Sequence, residues 1–492
     1  MKLRLRYRAF RQRIVPIALI AACWISLLGS ATGQAAPASP QKQPSPSSPG
    51  SDSPHFCADC VRANLTYLAG PAMHGRGSGT EDEHHAAQFI ARKLKQYGLA
   101  PAAENGQYIQ TATLRSRAVT TAPVLSFDTG DSANPSLVAW THGKEMVVLT
   151  LSQPEVVGPL QKLDLNDEKT SRAAIKEGAV VLLKLKAETT MADVPAAYMR
   201  SKAAMVIFAE PSRDQEMFQR RLQHLPRTSR TMGDEPVVPV RVLARPGAIA
   251  QLWAAPEGTI IKLHADVTPS ETSHTWNVLA KIEGTTAKDQ IILLSAHLDH
   301  LGVRNGKTYP GADDDASGTV AVMELAHALA KERKPKRTIV FALFGSEEVG
   351  LIGARYFLRH PTFDLQDIVA NLEFEMIGRS DPKVRRDQLW LTGWERTNLG
   401  PELAAHGAKL VGDPHPDQGF FTRSDNYAIA KQGIVAQTVS SYGLHKDYHR
   451  PTDTLAKVDW QHLDKAIASM IAPVTWLANS DFVPTWKEGM KP

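Results

Sequence analysis

Residues 290–300 read Gln-Ile-Ile-Leu-Leu-Ser-Ala-His-Leu-Asp-His. The unbroken apolar run at 291–294 is that of a strand covered on both faces. It ends in His297-Leu298-Asp299-His300. Ligands of open α/β sheets bind at strand ends. Asp299, two residues beyond His297, lies on the same face and is placed to orient the imidazole. A surface His-x-Asp is common, so this pair alone decides nothing.

The pattern continues outward from that strand. Residues 277–282, 338–344 and 368–375 read as further strands, and 316–331, 351–358 and 463–477 as helices. Val322, Leu325, Ala326 and Leu329 mark the buried face of the first helix. The alternation predicts an α/β fold, a mixed β-sheet sandwiched by helices. Upstream, 83–97 reads as a helix closed by Gly98. Between about 120 and 270 short β-prone runs recur (124–127, 146–151, 180–185, 205–208, 237–242, 260–267), with a helical stretch at 194–204. This is a separate β-rich module without a catalytic constellation of its own.

Acidic and imidazole side chains collect after the strands. Gly311 to Gly318 holds three consecutive acids, Asp313, Asp314 and Asp315, before an apolar helix. One acid suffices for an N-cap; three beside two glycines fit a bound cation better. The strand 338–344 runs into Glu347 and Glu348, which leave a turn in different directions: one for a metal, the other as general base. Glu373 and Glu375 close another strand, where unpaired carboxylates are costly. His445 and His449 have helical i, i+4 spacing, but Gly443 and Pro451 argue for a loop and for one ligand only. Together these residues supply the His and carboxylate donors of a two-zinc hydrolytic site. No G-x-S-x-G, Walker loop or dinucleotide fingerprint competes.

The remaining chain bounds the setting. Its 492 residues, 43% apolar and 22% charged, are globular values for two or three domains, which excludes wholesale disorder and a polytopic membrane protein. Six of the Lys/Arg lie in residues 1–13; without them 50 basic face 51 acidic residues, so the +5 formal charge implies no nucleic-acid partner. Eighteen uncharged residues (14–31) and small residues follow, the order of a secretory signal. A retained anchor, or a lipoprotein box ending at Cys23, are the alternatives. Residues 36–54, rich in Pro and Ser, read as a tether. Cys57 and Cys60 form a local disulfide or stay free.

In their order, the motifs Ala296 to His300, Gly311 to Gly318, Gly345-Ser-Glu-Glu-Val-Gly350, Glu375-Met-Ile-Gly378 and His449-Arg-Pro-Thr-Asp-Thr454 resemble the secreted di-zinc aminopeptidases. That group includes aminopeptidase Y and glutamate carboxypeptidase. The resemblance covers roughly 58–118 and 274–480, with His74-Gly-Arg-Gly-Ser-Gly79 near its start. The stretch between resembles an inserted protease-associated (PA) domain through Lys202-Ala203-Ala204 before Met205-Val-Ile-Phe208. The resemblance implies a phosphorylase/hydrolase-like zinc exopeptidase fold, divided into signal peptide (1–35), linker (36–54), peptidase domain (55–119 and 272–492) and PA-like insert (120–271). It implies two Zn2+ per chain: His297 and Glu375 on one, Glu348 and His449 on the other, Asp314 bridging, with Asp315 beside it. Glu347 is then the general base and Asp299 the residue orienting His297. Arg423, Asp425 and Tyr442 line the substrate pocket. Members of the group usually carry Asp where this chain has Glu375, and Glu373 is a rival for that ligand position. The expected activity is removal of N-terminal residues from peptides by a secreted or periplasmic enzyme, with no transmembrane span unless the signal stays as an anchor. A carboxypeptidase, dipeptidase or glutaminyl cyclase on the same scaffold, or a binding protein using the insert, are the rivals.

Overall fold

The run at 291–294 lies in the middle of a ten-stranded sheet. In the computed structural model, residues 55–129, 136–167, 174–185, 198, 201–209, 215–222, 225, 231–233 and 238–492 are described. The expected signal and tether fall outside them, as does most of the helix expected at 194–204.

In chain order the elements that build the site are α1 (Ala58–Leu68), α2 (Glu81–Gln96), β1 (Ile109–Ser116), β2 (Glu271–Ile282), β3 (Ala287–His297) and α3 (Ala316–Ala330). Then come β4 (Arg337–Phe344), α4 (Ile352–Arg359), β5 (Ile368–Phe374), β6 (Leu389–Leu391) and β7 (Leu410–Gly412). The last are α5 (Asp425–Ala430), β8 (Ala436–Ser440) and α6 (Trp460–Asn479). Across the sheet the order is β7-β6-β8-β5-β3-β4-β2-β1, with Thr231–Met232 at the β1 edge and the two-residue strand Ala100–Pro101 paired beside β2. The strands β4, β3, β5 and β8 run parallel, and β2 and β1 are antiparallel to their neighbours. The sheet is mixed, as expected.

Side-chain alternation along β3 divides two cores. Ile292, Leu294 and Ala296 pack with Leu65, Ile90, Val322 and Ile467 from α1, α2, α3 and α6. Ile291 and Leu293 face the other way, onto Phe357 of α4 and Ile429 of α5. Both faces are covered, which is why the strand reads as continuous apolar sequence. The sequence gives α3 one buried face, but the structure buries it nearly all round, because it lies between the sheet and α1 and α6. Glu324 is enclosed with it. Burial raises its carboxyl pKa to about 7, while the Cys57 N–H donates to it at 2.7 Å. Cys57 and Cys60 are disulfide-bonded at the start of α1. The strands β1, β6, β7 and β8 have no counterpart in the sequence reading. The short β8 is Ala-Gln-Thr-Val-Ser, a fully buried strand with polar side chains that no apolar pattern announces.

A second sheet of eight described strands lies between 124 and 264, around its own core of Leu125, Val156, Leu182, Ile207 and Val242. Chain entry and exit are tied together: the Thr120 N–H donates to Asp266 O at 2.9 Å and the Thr268 N–H to Ala118 O at 2.8 Å. Among the described residues no helix is long and apolar enough to cross a membrane.

One glycine sets the depth at which α3 meets the sheet. A Cβ at Gly318 would lie 2.0 Å from the Phe374 carbonyl oxygen. Gly318→Ala therefore forces helix and strand apart. We expect a loss of at least about 2 kcal/mol, the scale of overpacked cores, read as a lower urea midpoint with the slope retained. An unchanged midpoint would contradict this contact.

Candidate metal centre

Five chain segments deliver the site to one edge of the sheet: the end of β3, the turn before α3, the turn after β4, the residue after β5, and the loop 442–454. The three consecutive acids have three different tasks. Asp315 is the α3 N-cap, accepting from the Gly318 N–H at 3.0 Å, and it also accepts from the His297 and Met376 N–H groups. Asp313 faces away, accepting from the Gly378 N–H at 2.7 Å, with His445 Nε2 at 3.1 Å. Of the three, Asp314 alone faces the cleft, joined to Asp315 by a cis peptide.

The two oxygens of Asp314 face two different sets of donors. Oδ1 lies 3.3 Å from His297 Nε2, and His297, Asp314 and Glu375 each bring a ligand atom within 4.8 Å of the others. Oδ2 lies 3.1 Å from His449 Nε2, which is also 3.1 Å from Glu348 Oε2. His300, Asp314 and Glu348 form a second such triplet. Both nitrogens of His297 and of His300, Asp314 Oδ2 and Glu348 Oε1 are buried without a hydrogen-bond partner. Buried polar atoms normally find partners. Converging orphan nitrogens and carboxylate oxygens are what a zinc ion would satisfy, and ligands about 2.0–2.2 Å from a tetrahedral zinc sit roughly 3.3 Å apart. The residues fit the metal.

The protonation pattern without metal agrees. Burial and the neighbouring Asp425, Glu348 and Glu375 carboxylates, opposed by His297, push Glu347 well above the usual carboxylate range. Burial and Asp314 would also raise Glu348, but His300 and His449 outweigh them and hold it down to about 2. Burial would lower His449, yet Asp314 and Glu348 raise it to about 9. Protons here stand in for metal charge.

A second layer fixes these groups. Asp299 Oδ1 accepts from the Glu347 N–H at 2.9 Å and Oδ2 from Ser78 Oγ at 2.5 Å; its Oδ1 is 3.7 Å from His297 Nδ1. Glu347 follows Ser346, which has left-handed backbone angles. Beneath that turn lies buried Glu83, bonded by Thr275 and Gly79. The Arg76 guanidinium is buried and donates only to carbonyls, those of Leu68, Leu298, Pro310 and Gly311. It clamps the β3 loop to the aspartate turn. Arg379 does the same for the loop of His449, donating to Asp447 at 2.8 Å and Asp453 at 2.6 Å, while Asp453 Oδ2 accepts from the N–H groups of Asp313 and Asp314.

The expected residues are distributed as follows. His297, Asp314, Glu347, Glu348, Glu375 and His449 come together. His445 and His449 lie in a loop, and only His449 faces Asp314 and Glu348. Glu373 is turned to Ser424 and Asn426, so its carboxylate is engaged elsewhere. Arg423 lines the cleft over Phe420 and Tyr448. Two pocket expectations are corrected. Asp425 is fully buried behind the cleft, and burial, then Glu373, raises its carboxyl well above the usual range. Tyr442 packs on His445, ring centroids 5.4 Å apart, because the loop turns there; Tyr448 lines the cleft instead, stacked on His449 at 3.9 Å. Trp390, Phe420, Leu444 and Met376 complete an apolar wall. Sequence reasoning missed His300, Ser78, Arg76 and Arg379. The signals for the first three stood in His297-Leu-Asp-His300 and in His74 to Gly79.

Residues 277–474 match the model of Peptidase family M28. The vacuolar membrane protease of Kluyveromyces lactis is 31% identical over 205 residues, 41% of this chain and 20% of that protein. Leucine aminopeptidase 2 of Trichophyton rubrum is 28% identical over 216 residues, 38% of this chain and 42% of that one. The chain thus spans from a fifth to about two fifths of these relatives. The aminopeptidase from Aneurinibacillus sp. strain AM-1 shares the fold, with a TM-score of 0.50, 19% identity, and 90% of this chain and 98% of that chain covered.

Metal uptake follows from the protonation pattern. With His449 at about 9, its imidazole is protonated below that pH and must lose a proton to donate to a metal. Zinc affinity of the metal-free chain should therefore rise between pH 6 and 8.5, roughly tenfold per unit for each proton displaced. Chelator competition across that range, with calorimetry in buffers of different ionisation heat, reads it directly.

Proposed function

We propose that the chain is a two-zinc exopeptidase that removes N-terminal residues from peptides. The observation that carries this reading is Asp314, whose two oxygens each face a separate His and carboxylate set beside Glu347 in an open cleft. Zinc held there by His297, Asp314 and Glu375, and by Asp314, Glu348 and His449, supplies Lewis acidity towards the scissile carbonyl and the attacking water. The remaining work is done by the chain. Glu347 takes the proton from the attacking water and passes it to the leaving amine. Asp299 holds both the Glu347 backbone and the side of His297, so base and first metal position keep a fixed relation. The apolar wall of Trp390, Phe420 and Leu444 receives the side chain of the first residue, and the cleft carboxylates favour a substrate bearing a free ammonium.

The surrounding assignments belong to the same reading. The segment 120–271 is an inserted domain of PA type, supported by its own sheet, its own core and its paired entry and exit. Residues 1–35 direct export to the periplasm or the exterior. The Cys57–Cys60 disulfide supports an oxidising destination.

The full chain should release the first residue from free-amine aminoacyl fluorogenic substrates, lose this with a chelator and regain it with zinc. N-blocked versions should be inert. Cleavage of blocked C-terminal dipeptides, with Arg423 holding their carboxylate, would make it a carboxypeptidase instead. Glu347→Gln should keep its zinc and lose at least a hundredfold in kcat, the scale of a general base. Full activity in that variant would remove Glu347 from the mechanism.

A further inference from the structure

The two halves of the centre are not equally furnished. On the side of Asp314 Oδ1 stand His297 and Glu375. On the side of Oδ2 stand His449, Glu348 and a further imidazole, His300. Its Nδ1 lies 2.7 Å from Glu348 Oε1 and 3.9 Å from Asp314 Oδ2. At that separation His300 Nδ1 is ion-paired with Glu348, while His300 Nε2 has no hydrogen-bond partner. The ring is completely buried. Three buried atoms, His300 Nδ1, Asp314 Oδ2 and Glu348 Oε1, share one small space.

The fold holds the ring there deliberately. The His300 N–H donates to Arg76 O at 3.0 Å, and its carbonyl accepts from the Ser78 N–H at 3.3 Å. The ring lies against Gly311, where a Cβ would come within 2.5 Å of His300 Cγ. The buried Arg76 clamps that same turn. The segment Arg76 to Ser78, which takes no part in the chemistry above, is therefore what seats His300.

We propose that His300 is a ligand of the second metal position, which is then held by four side chains, His300, Asp314, Glu348 and His449, against three at the first. This rests on the two-zinc reading and adds an asymmetry to it. Zinc sites closed by four protein ligands hold their metal structurally, whereas three ligands leave a position open for chemistry. The second position fills first and releases its metal last. The first, at His297 and Glu375, is the exchangeable one.

The full chain, stripped of metal, would be titrated with zinc against a chromophoric chelator and with Co2+ followed in the visible range. Two events of unequal affinity are expected. At one equivalent of zinc, X-ray absorption should count two imidazoles on the metal. In His300→Ala and His300→Gln the tighter event should weaken at least tenfold and its Co2+ spectrum should change, with far-UV circular dichroism matching the parent. One imidazole at one equivalent, in the unaltered chain, overturns the proposal even if both variants misfold. So do variants that bind both metals as the parent does. If the parent binds two metals but His300 is not among their ligands, only this inference falls. A parent that binds none takes the two-zinc reading down with it.

Discussion

Too much negative charge is gathered at one sheet edge to be left alone. Glu83, Asp299, Asp313, Asp314, Asp315, Glu373, Asp425 and Asp453 are all buried there, with Glu348 beside His449 and with Glu347 and Glu375 at the cleft. Carboxylates in such a place stay ionised only with a counter-charge, or else take up protons. The structure uses both solutions, in different layers. Glu83, Asp315, Glu347 and Asp425 are pushed upward mainly by burial, so protons neutralise them. Asp314 and Glu348 go the other way, because imidazoles face them. Of the three carboxylates that face the histidines, Asp314 and Glu348 resist protonation, whereas burial raises Glu375.

Two arginines frame this arrangement with opposite chemistry. Arg76 meets only carbonyls and Arg379 mainly carboxylates. The first fixes loop geometry next to the acids and lends its charge at a distance. The second balances Asp313, Asp447 and Asp453 directly and raises no demand on the metal ligands. Because Asp453 also binds the backbone of Asp313 and Asp314, the loop that brings His449 cannot move without moving the bridging aspartate. The two donor sets that face Asp314 are therefore built as one mechanical unit.

How much of this could be read from residues depended on the kind of signal. The buried run at 291–294, the apolar helix after Asp315 and the carboxylates at strand ends have periodicity or cost behind them, and the sheet and most of the cluster followed. The strand β8 escaped because its buried positions are Gln, Thr and Ser, whose hydrogen bonds are made to neighbours far away in sequence. Tyr448 was not legible as a cleft residue, because spacing along a loop says nothing about which way a ring points. His300 stood inside the quoted motif, but a second histidine three residues after the first has no local reason to face Glu348. Only the seat provided by Arg76, Ser78 and Gly311 turns it there.

Among the described residues, the segment that builds the second sheet also reaches the larger one. Thr231–Met232 adds to the outer side of β1, and Met232 packs with Leu114 and Ile352, against which Val349 and Tyr356 also rest. An uncovered β-strand margin invites pairing with other chains. These two residues occupy part of that margin, and through Val349 they touch the turn that carries Glu347 and Glu348. Removing residues 120–271 would thus leave behind a self-adhesive border.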